Sequence, residues 1–291
     1  MQDLFLTTFV RGGDEFERAC AVLQAVANMS GWHSLHRVVF YSGPLPPKGF
    51  PNPRSAQPAN QPPGAKPSPQ QLQQTAALWG SLNQALTKTS YIMQARYEVF
   101  KDRDFVGVPN EADASAAVVD GEAELNRTTG TLRWTDLPIK QPDNNPVTQR
   151  KRIDILDHKN LIAVFKDNNH TYKSEAIEES VSYYIDSVEI TFVRYYKLPE
   201  STQPLTSLPT WPSLQLVDPS GTWMLFLRTT VQEENAYDKI KEAQEELQRV
   251  RDQLGGVFEF KVYDRRVHDT RIIQQASNMP APLPQIQRAR G

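Results

Sequence analysis

Period two dominates the pattern of apolar and polar positions. Tyr91, Met93, Ala95, Tyr97 and Val99 alternate with Gln94, Arg96 and Glu98, and Val188, Ile190 and Phe192 alternate with Glu189 and Thr191. Successive side chains of a strand point to opposite faces, so each run reads as a strand with one apolar and one polar face. Further strands are predicted near 3–10, 36–42, 131–137, 147–156, 171–185, 221–231 and 256–263. Most neighbours are joined by turn-rich stretches, whereas a parallel crossover needs about a dozen residues or more. The sheet is therefore expected to be mainly antiparallel. With roughly nine strands it is long enough to curl or close, which would remove its edges. Alternation defines two faces per strand without saying which is inside, so a polar lumen and a polar exterior both remain open.

Helical spacing appears three times. Residues 14–29 carry Phe16, Ala19, Cys20, Leu23, Val26 and Ala27 on one stripe, with Asp14 as the N-cap candidate. Residues 233–254 carry Tyr237, Ile240, Ala243, Leu247, Val250 and Leu254, and Gly255 and Gly256 stop the helix. A shorter helix follows from Leu72, Ala76, Trp79, Leu82 and Leu86, weakened by Gly80. These elements give an α+β fold, mainly antiparallel β, with flanking helices. Residues 43–69 hold ten of the 22 prolines and almost nothing to fill a core, so they are expected to be a disordered insertion within a single domain spanning 1–272. Residues 273–291 are expected to be a flexible tail.

Composition narrows the function classes. Cys20 is the only cysteine, which excludes an intramolecular disulfide and any multi-cysteine zinc site and points to a reducing compartment. With 32 basic and 34 acidic residues the net charge is −2, a poor match for direct sequence-specific nucleic-acid binding. No apolar run reaches the length of a spanning helix, and no signal segment follows Met1, so no membrane contact is expected. The run "QRKRIDILDHK" at 149–159 is a short basic cluster, readable as a nuclear address or a partner contact.

Catalysis needs a converging set. Arg96 and Glu98 share a face on one strand, as do Glu259 and Lys261 on another, so a charged tunnel is conceivable. In it Glu98, Glu189 and Glu259 would hold a divalent ion and Arg96 and Lys261 phosphate oxygens, as in a metal-dependent triphosphate hydrolase. Against this, the one Glu-x-Glu pair, Glu122 and Glu124, lies in a stretch that reads as a loop, and the first strand has no glutamate. A small-ligand or nucleotide-binding barrel without catalysis is a third reading. His33 and His36 are three apart in a strand and face opposite sides, and His158 and His170 sit among apparent loop residues, so no metal or other cofactor is expected.

The ordered landmarks carry a resemblance. "LFLTTFV", "FERACAVLQAVANM", "HRVVFY", a Pro- and Gln-rich insert, "LRWTDLP", "NPVTQRKRIDI", "SVEITFVRYYKLP", "LVDPSGTWMLFLRTTV" and "GGVFEFKVYDRRVHDTRI" occur in that order. The chain resembles the fungal family of Mediator complex subunit 18 over nearly its whole length, except 43–88, parts of 101–130 and the tail after 273. The most specific motifs are "DPSG", with Asp218, Pro219 and Gly221, and "DRxxxDTR", with Asp264, Arg265, Asp269, Thr270 and Arg271. The resemblance implies a single β-barrel like that of tunnel-type RNA triphosphatases, without reliance on their chemistry. It also implies a non-enzymatic nuclear role in the head module of Mediator, the RNA polymerase II coactivator, paired with Mediator subunit 20 and tethered by a C-terminal helix of subunit 8. On this reading 256–263 is the closing strand of the barrel, and the residues from Asp264 to Arg271 form a hydrogen-bonded turn that fixes its end, with Asp264 or Asp269 pairing with an arginine. Aromatic residues on both strand faces, such as Phe192 and Tyr195, suggest apolar surface to be hidden against a partner.

Overall fold

The computed structural model describes residues 1–51, 56–58, 69–105, 121–140, 145–233 and 236–272. Ten strands follow in chain order: β1 (Gln2–Val10), β2 (Trp32–Ser42), β3 (Gln57–Pro58), β4 (Ile92–Glu98), β5 (Gly130–Thr135), β6 (Thr148–Lys159), β7 (Thr171–Ile185), β8 (Val188–Lys197), β9 (Gln215–Leu216) and β10 (Trp223–Val231). The helices are α1 (Asp14–Ala27), α2 (Pro69–Leu86), α3 (Lys101–Asp104), α4 (Gly121–Arg127), α5 (Leu161–Asp167) and α6 (Tyr237–Leu254).

All strand pairs are antiparallel, and eight strands form a ring in the order β1-β10-β8-β7-β2-β4-β5-β6, closed by the pairing of β6 with β1. The two-residue strands β3 and β9 add to β6 and β8 outside this ring. The apolar face of every long strand points outward, under helices. α1 and α6 cover β1, β10 and β8, with Leu23, Leu247, Val250 and Leu254 packed on Leu4, Leu6, Ile190, Phe192 and Leu225. On the opposite side α2, α4 and α5 cover β2, β4, β5 and β6 through Trp79, Leu82, Leu125 and Phe165. A third, smaller cluster joins Ile177 and Tyr196 to Leu208 and Trp211 in the connection from β8 to β9.

Several expectations are corrected. Residues 256–263 form no strand; a lone bridge joins Lys261 to Thr7. The β1–β6 pairing already closes the ring, so no open edge remains for this segment, and Phe258 and Phe260 turn into the core beneath α6. Gly13, at φ +71°, takes the N-cap position and Asp14 is the first helical residue. Tyr237 is exposed and does not join the buried stripe of α6. The stretch containing Glu122 and Glu124 is helical, and Gly121 opens it because a Cβ there would lie 2.6 Å from the Leu205 carbonyl oxygen. His158 lies in β6 and is buried, as is His170, which hydrogen-bonds the Asn168 carbonyl just before β7. The proline-rich stretch does contribute to a core: Phe50 is buried against Trp79, and its amide donates to Asn83. Residues 52–55, 59–68 and 273–291, which include most of the expected insertion and the whole expected tail, lie outside the described residues.

Candidate functional site

With apolar faces outward, the polar faces line the lumen, a cavity of about 540 Å³. Arg96 comes from β4, Arg133 from β5, Arg150 and Arg152 from β6, Glu178 from β7, Glu189 and Tyr195 from β8 and Arg228 from β10. Asp3 on β1 and Asp154 on β6 meet these arginines from the same side. A charged side chain in such a space must be paired, because the cost of leaving water exceeds anything dispersion returns.

The pairing is close. Arg96 grips Glu178 with two bonds, Nη1 to Oε2 at 3.0 Å and Nη2 to Oε1 at 2.5 Å, and the Tyr195 hydroxyl donates to Glu178 at 2.7 Å. Arg133 grips Asp154 with two bonds of 2.9 Å, and Arg152 adds a contact of 2.6 Å. Asp3, wholly buried, faces three guanidinium groups: Arg150 at 2.9 Å, Arg228 at 3.1 Å and Arg152 at 3.6 Å. Burial opposes ionisation of Asp3, Asp154 and Glu178, but the neighbouring arginines outweigh it and hold all three carboxyls below their usual range. Burial, aided by Arg96, lowers His36 to about 4, and burial with Arg150 and Arg228 lowers His268 to about 4, so both rings are neutral near pH 7.

One end of the lumen is crossed by residues 256–272, which run as a strap from β1 to β4. The Thr8 hydroxyl donates to the Glu259 carbonyl at 2.7 Å, Arg265 donates to the Pro138 carbonyl at 3.2 Å, and the Thr270 hydroxyl donates to the Thr135 carbonyl at 2.8 Å. The Ile92 amide donates to the Thr270 carbonyl at 2.7 Å. Asp264 accepts from the Arg266 amide, and Asp269 forms a two-bond ion pair with Arg271 at 2.8 and 2.9 Å. The strap places the His268 ring inside, edge-on to Phe5 at 5.1 Å between centroids. The other sequence motif is a turn before β10: Asp218 accepts from the Ser220 amide at 2.9 Å, Pro219 follows it, and Gly221 takes φ +70° while its amide donates to the Asp218 carbonyl. Its exposed position gives it no contact with the lumen.

The residues of the hydrolase reading are not brought together. Glu98 is exposed at the end of β4, and Glu259 and Lys261 pair with each other in a separate cavity outside the barrel, between α1 and the strap. Of that set only Arg96 and Glu189 line the lumen. Among the described residues no group of three or more His, Cys, Asp or Glu side chains is placed to hold a metal ion. The basic run at 149–159 is likewise no surface patch, because Arg150 and Arg152 turn inward to Asp3 and Asp154. The two aromatic residues that suggested a surplus are accommodated within the chain, Phe192 under Phe16 of α1 and Tyr195 bonded in the lumen, whereas Trp32 and Tyr184 remain in solvent. Sequence reasoning missed Asp3, Asp154 and Glu178. For Asp3 the available signal was a lone acid in an otherwise uncharged, mostly apolar strand; Asp154 and Glu178 lie among other charged residues and carry no such mark.

The fold and the lumen define a closed antiparallel barrel with ion pairs built into its polar interior. The chain belongs to the Med18 family, the Mediator subunit family its motifs resemble: the family model, described as Med18 protein, matches residues 2–271. A chain in the structure of the Schizosaccharomyces pombe Mediator head module shares the fold at 11% identity and a TM-score of 0.54, covering 90% of this chain and 98% of that one. PH1012 protein from Pyrococcus horikoshii OT3 matches at 9% identity and a TM-score of 0.37, covering 90% of this chain and 96% of that one. A hypothetical protein from Pyrococcus furiosus matches at 9% and 0.36, covering 86% and 90%. Comparison with curated proteins finds no match.

Proposed function

We propose that this chain is a non-enzymatic subunit of the Mediator head module, acting in the nucleus through protein contacts in RNA polymerase II transcription. The observation that carries the reading is the family match over residues 2–271, which spans the whole barrel and its strap. The resemblance implies the finer assembly: a pair with Mediator subunit 20, held by a C-terminal helix of subunit 8. A protein partner is supported by the apolar side chains left in solvent on the strap and the barrel rim, Val262, Val267, Trp32 and Leu156. A non-catalytic role is supported by the lumen carboxylates Asp3, Asp154 and Glu178, each already engaged by arginine.

Co-expression with Mediator subunits 20 and 8 of the same source, followed by size-exclusion chromatography with light scattering, tests the proposal. Co-elution at the mass of a 1:1:1 complex is expected. A lone monomer that releases phosphate from triphosphates with a divalent metal would overturn it.

A further inference from the structure

Ion pairing is uneven in the lumen. Five arginines line it, and three carboxylates, Asp3, Asp154 and Glu178, pair with them. Of the other two lining carboxylates, Asp269 pairs with Arg271, and Glu189 faces the hydroxyls of Ser182 and Tyr184 at 3.5 Å with no arginine partner among the described residues. The unevenness is local. Arg96 and Arg133 spend two donors each on their own carboxylates, whereas Arg150 and Arg228 share Asp3 with Arg152 and reach it through Nε alone. The Arg228 Nε, 3.1 Å from Asp3, is not aligned for a hydrogen bond. Among the described residues the terminal amino groups of Arg150 and Arg228 have no protein acceptor.

These two forks are also held in place. The Arg150 guanidinium lies 4.8 Å from the centre of the Phe5 ring and that of Arg228 4.9 Å from the centre of Phe226, and the two rings touch edge to face. His268, brought in by the strap, stands against the same Phe5. Two oriented forks with unused donors, a neutral imidazole and a solvent-accessible cavity form a receptor for an acceptor-rich, doubly charged group. We propose that the lumen binds a small phosphate-type oxyanion between Arg150, Arg228 and His268. The site is independent of the Mediator assignment.

The test is titration of the full chain, with its histidines isotopically labelled, against inorganic phosphate, pyrophosphate and adenosine diphosphate in separate arms. The expected result is a saturable shift of the His268 ring resonances, assigned by comparison with His268→Gln, together with a melting temperature that rises with ligand concentration. A negative charge beside the ring also moves its titration upward from about 4. Saturation by an inorganic ion assigns a free anion, and saturation by the nucleotide alone assigns an esterified one. Arg228→Gln weakens binding about tenfold or more. Should that variant fail to fold, Arg228→Lys keeps the charge, removes the fork and is expected to show the same loss. The proposal is overturned if the wild-type His268 resonances stay fixed at about 10 mM of every ligand, or if the arginine variant binds as tightly as the wild type.

Discussion

The inner and outer walls of this barrel are built from the same strands and held by different physics. Outside, Leu4, Ile190, Leu225 and their neighbours are stabilised by burial under helices, a non-directional force that tolerates a change of shape if volume is kept. Inside, Asp3, Asp154 and Glu178 depend on particular arginines at particular distances, and deletion of one partner leaves the others buried without their counter-charge. The outer wall therefore supplies most of the stability, and the inner wall fixes which strands lie where. Arg150 can meet Asp3 only if β6 closes on β1 in the observed register.

The sharpest way to break this contrast is Asp3→Ala, which leaves three guanidinium groups without their shared carboxylate. A loss of about 3–5 kcal/mol in urea unfolding is expected. A loss below about 1 kcal/mol would mean that lumen water already screens the cluster. On the outer wall Leu247→Ala is expected to cost about 3 kcal/mol, with Leu247→Met largely restoring stability; equal damage from both would contradict a tolerant core. Acid should sharpen the comparison. His36 and His268 have folded values of about 4 against 6.5 for the free side chain, so the folded state binds fewer protons between those values. Their contribution is present above pH 6.5 and lost as pH falls toward 4, below which the depressed lumen carboxylates add a further loss. His268→Gln should flatten the first part of a melting-temperature profile. Asp264→Ala and Asp269→Ala remove an amide acceptor and a half-exposed ion pair of the strap, and each is expected to cost roughly 0.5–1 kcal/mol. An unchanged melting temperature in both would remove the anchoring role of that motif. The smallest effect is reserved for Glu259→Gln, within about 0.5 kcal/mol, because its pair with Lys261 is in solvent.

Alternation made the strands and the apolar stripes of α1, α2 and α6 legible, since periodicity is a local property. Which face would turn inward was not, because that depends on the helices that cover the other one. The run 149–159 shows the difficulty. Its arginines read as a basic patch until Asp3, 147 positions away in Arg150's hydrogen bond, is placed beside them. The segment 256–263 misled for the opposite reason. Its alternation correctly buries Phe258 and leaves Glu259 exposed, but a ladder also needs a free edge, and ring closure by β6 had consumed it. The helix α4 escaped notice because Gly121 and Gly130 suggest a loop, whereas Gly121 meets a tertiary demand for close backbone approach.

Closure through β1 also sets a timetable. Residues 2–10 pair with 148–151 and 223–231, and the strap's bond to Thr8 comes from Glu259, so the strand made early gains its neighbours late. At synthesis rates of about 5–20 residues per second, the interval between β1 and β10 lasts roughly 10 to 45 s. Until β6 emerges β1 has no sheet to join, and until β10 emerges it has only one neighbour; long-range pairing of this kind is slow even once every strand exists. The emerging chain thus spends its longest vulnerable period as an open, sticky sheet, a state in which a chaperone has something to hold.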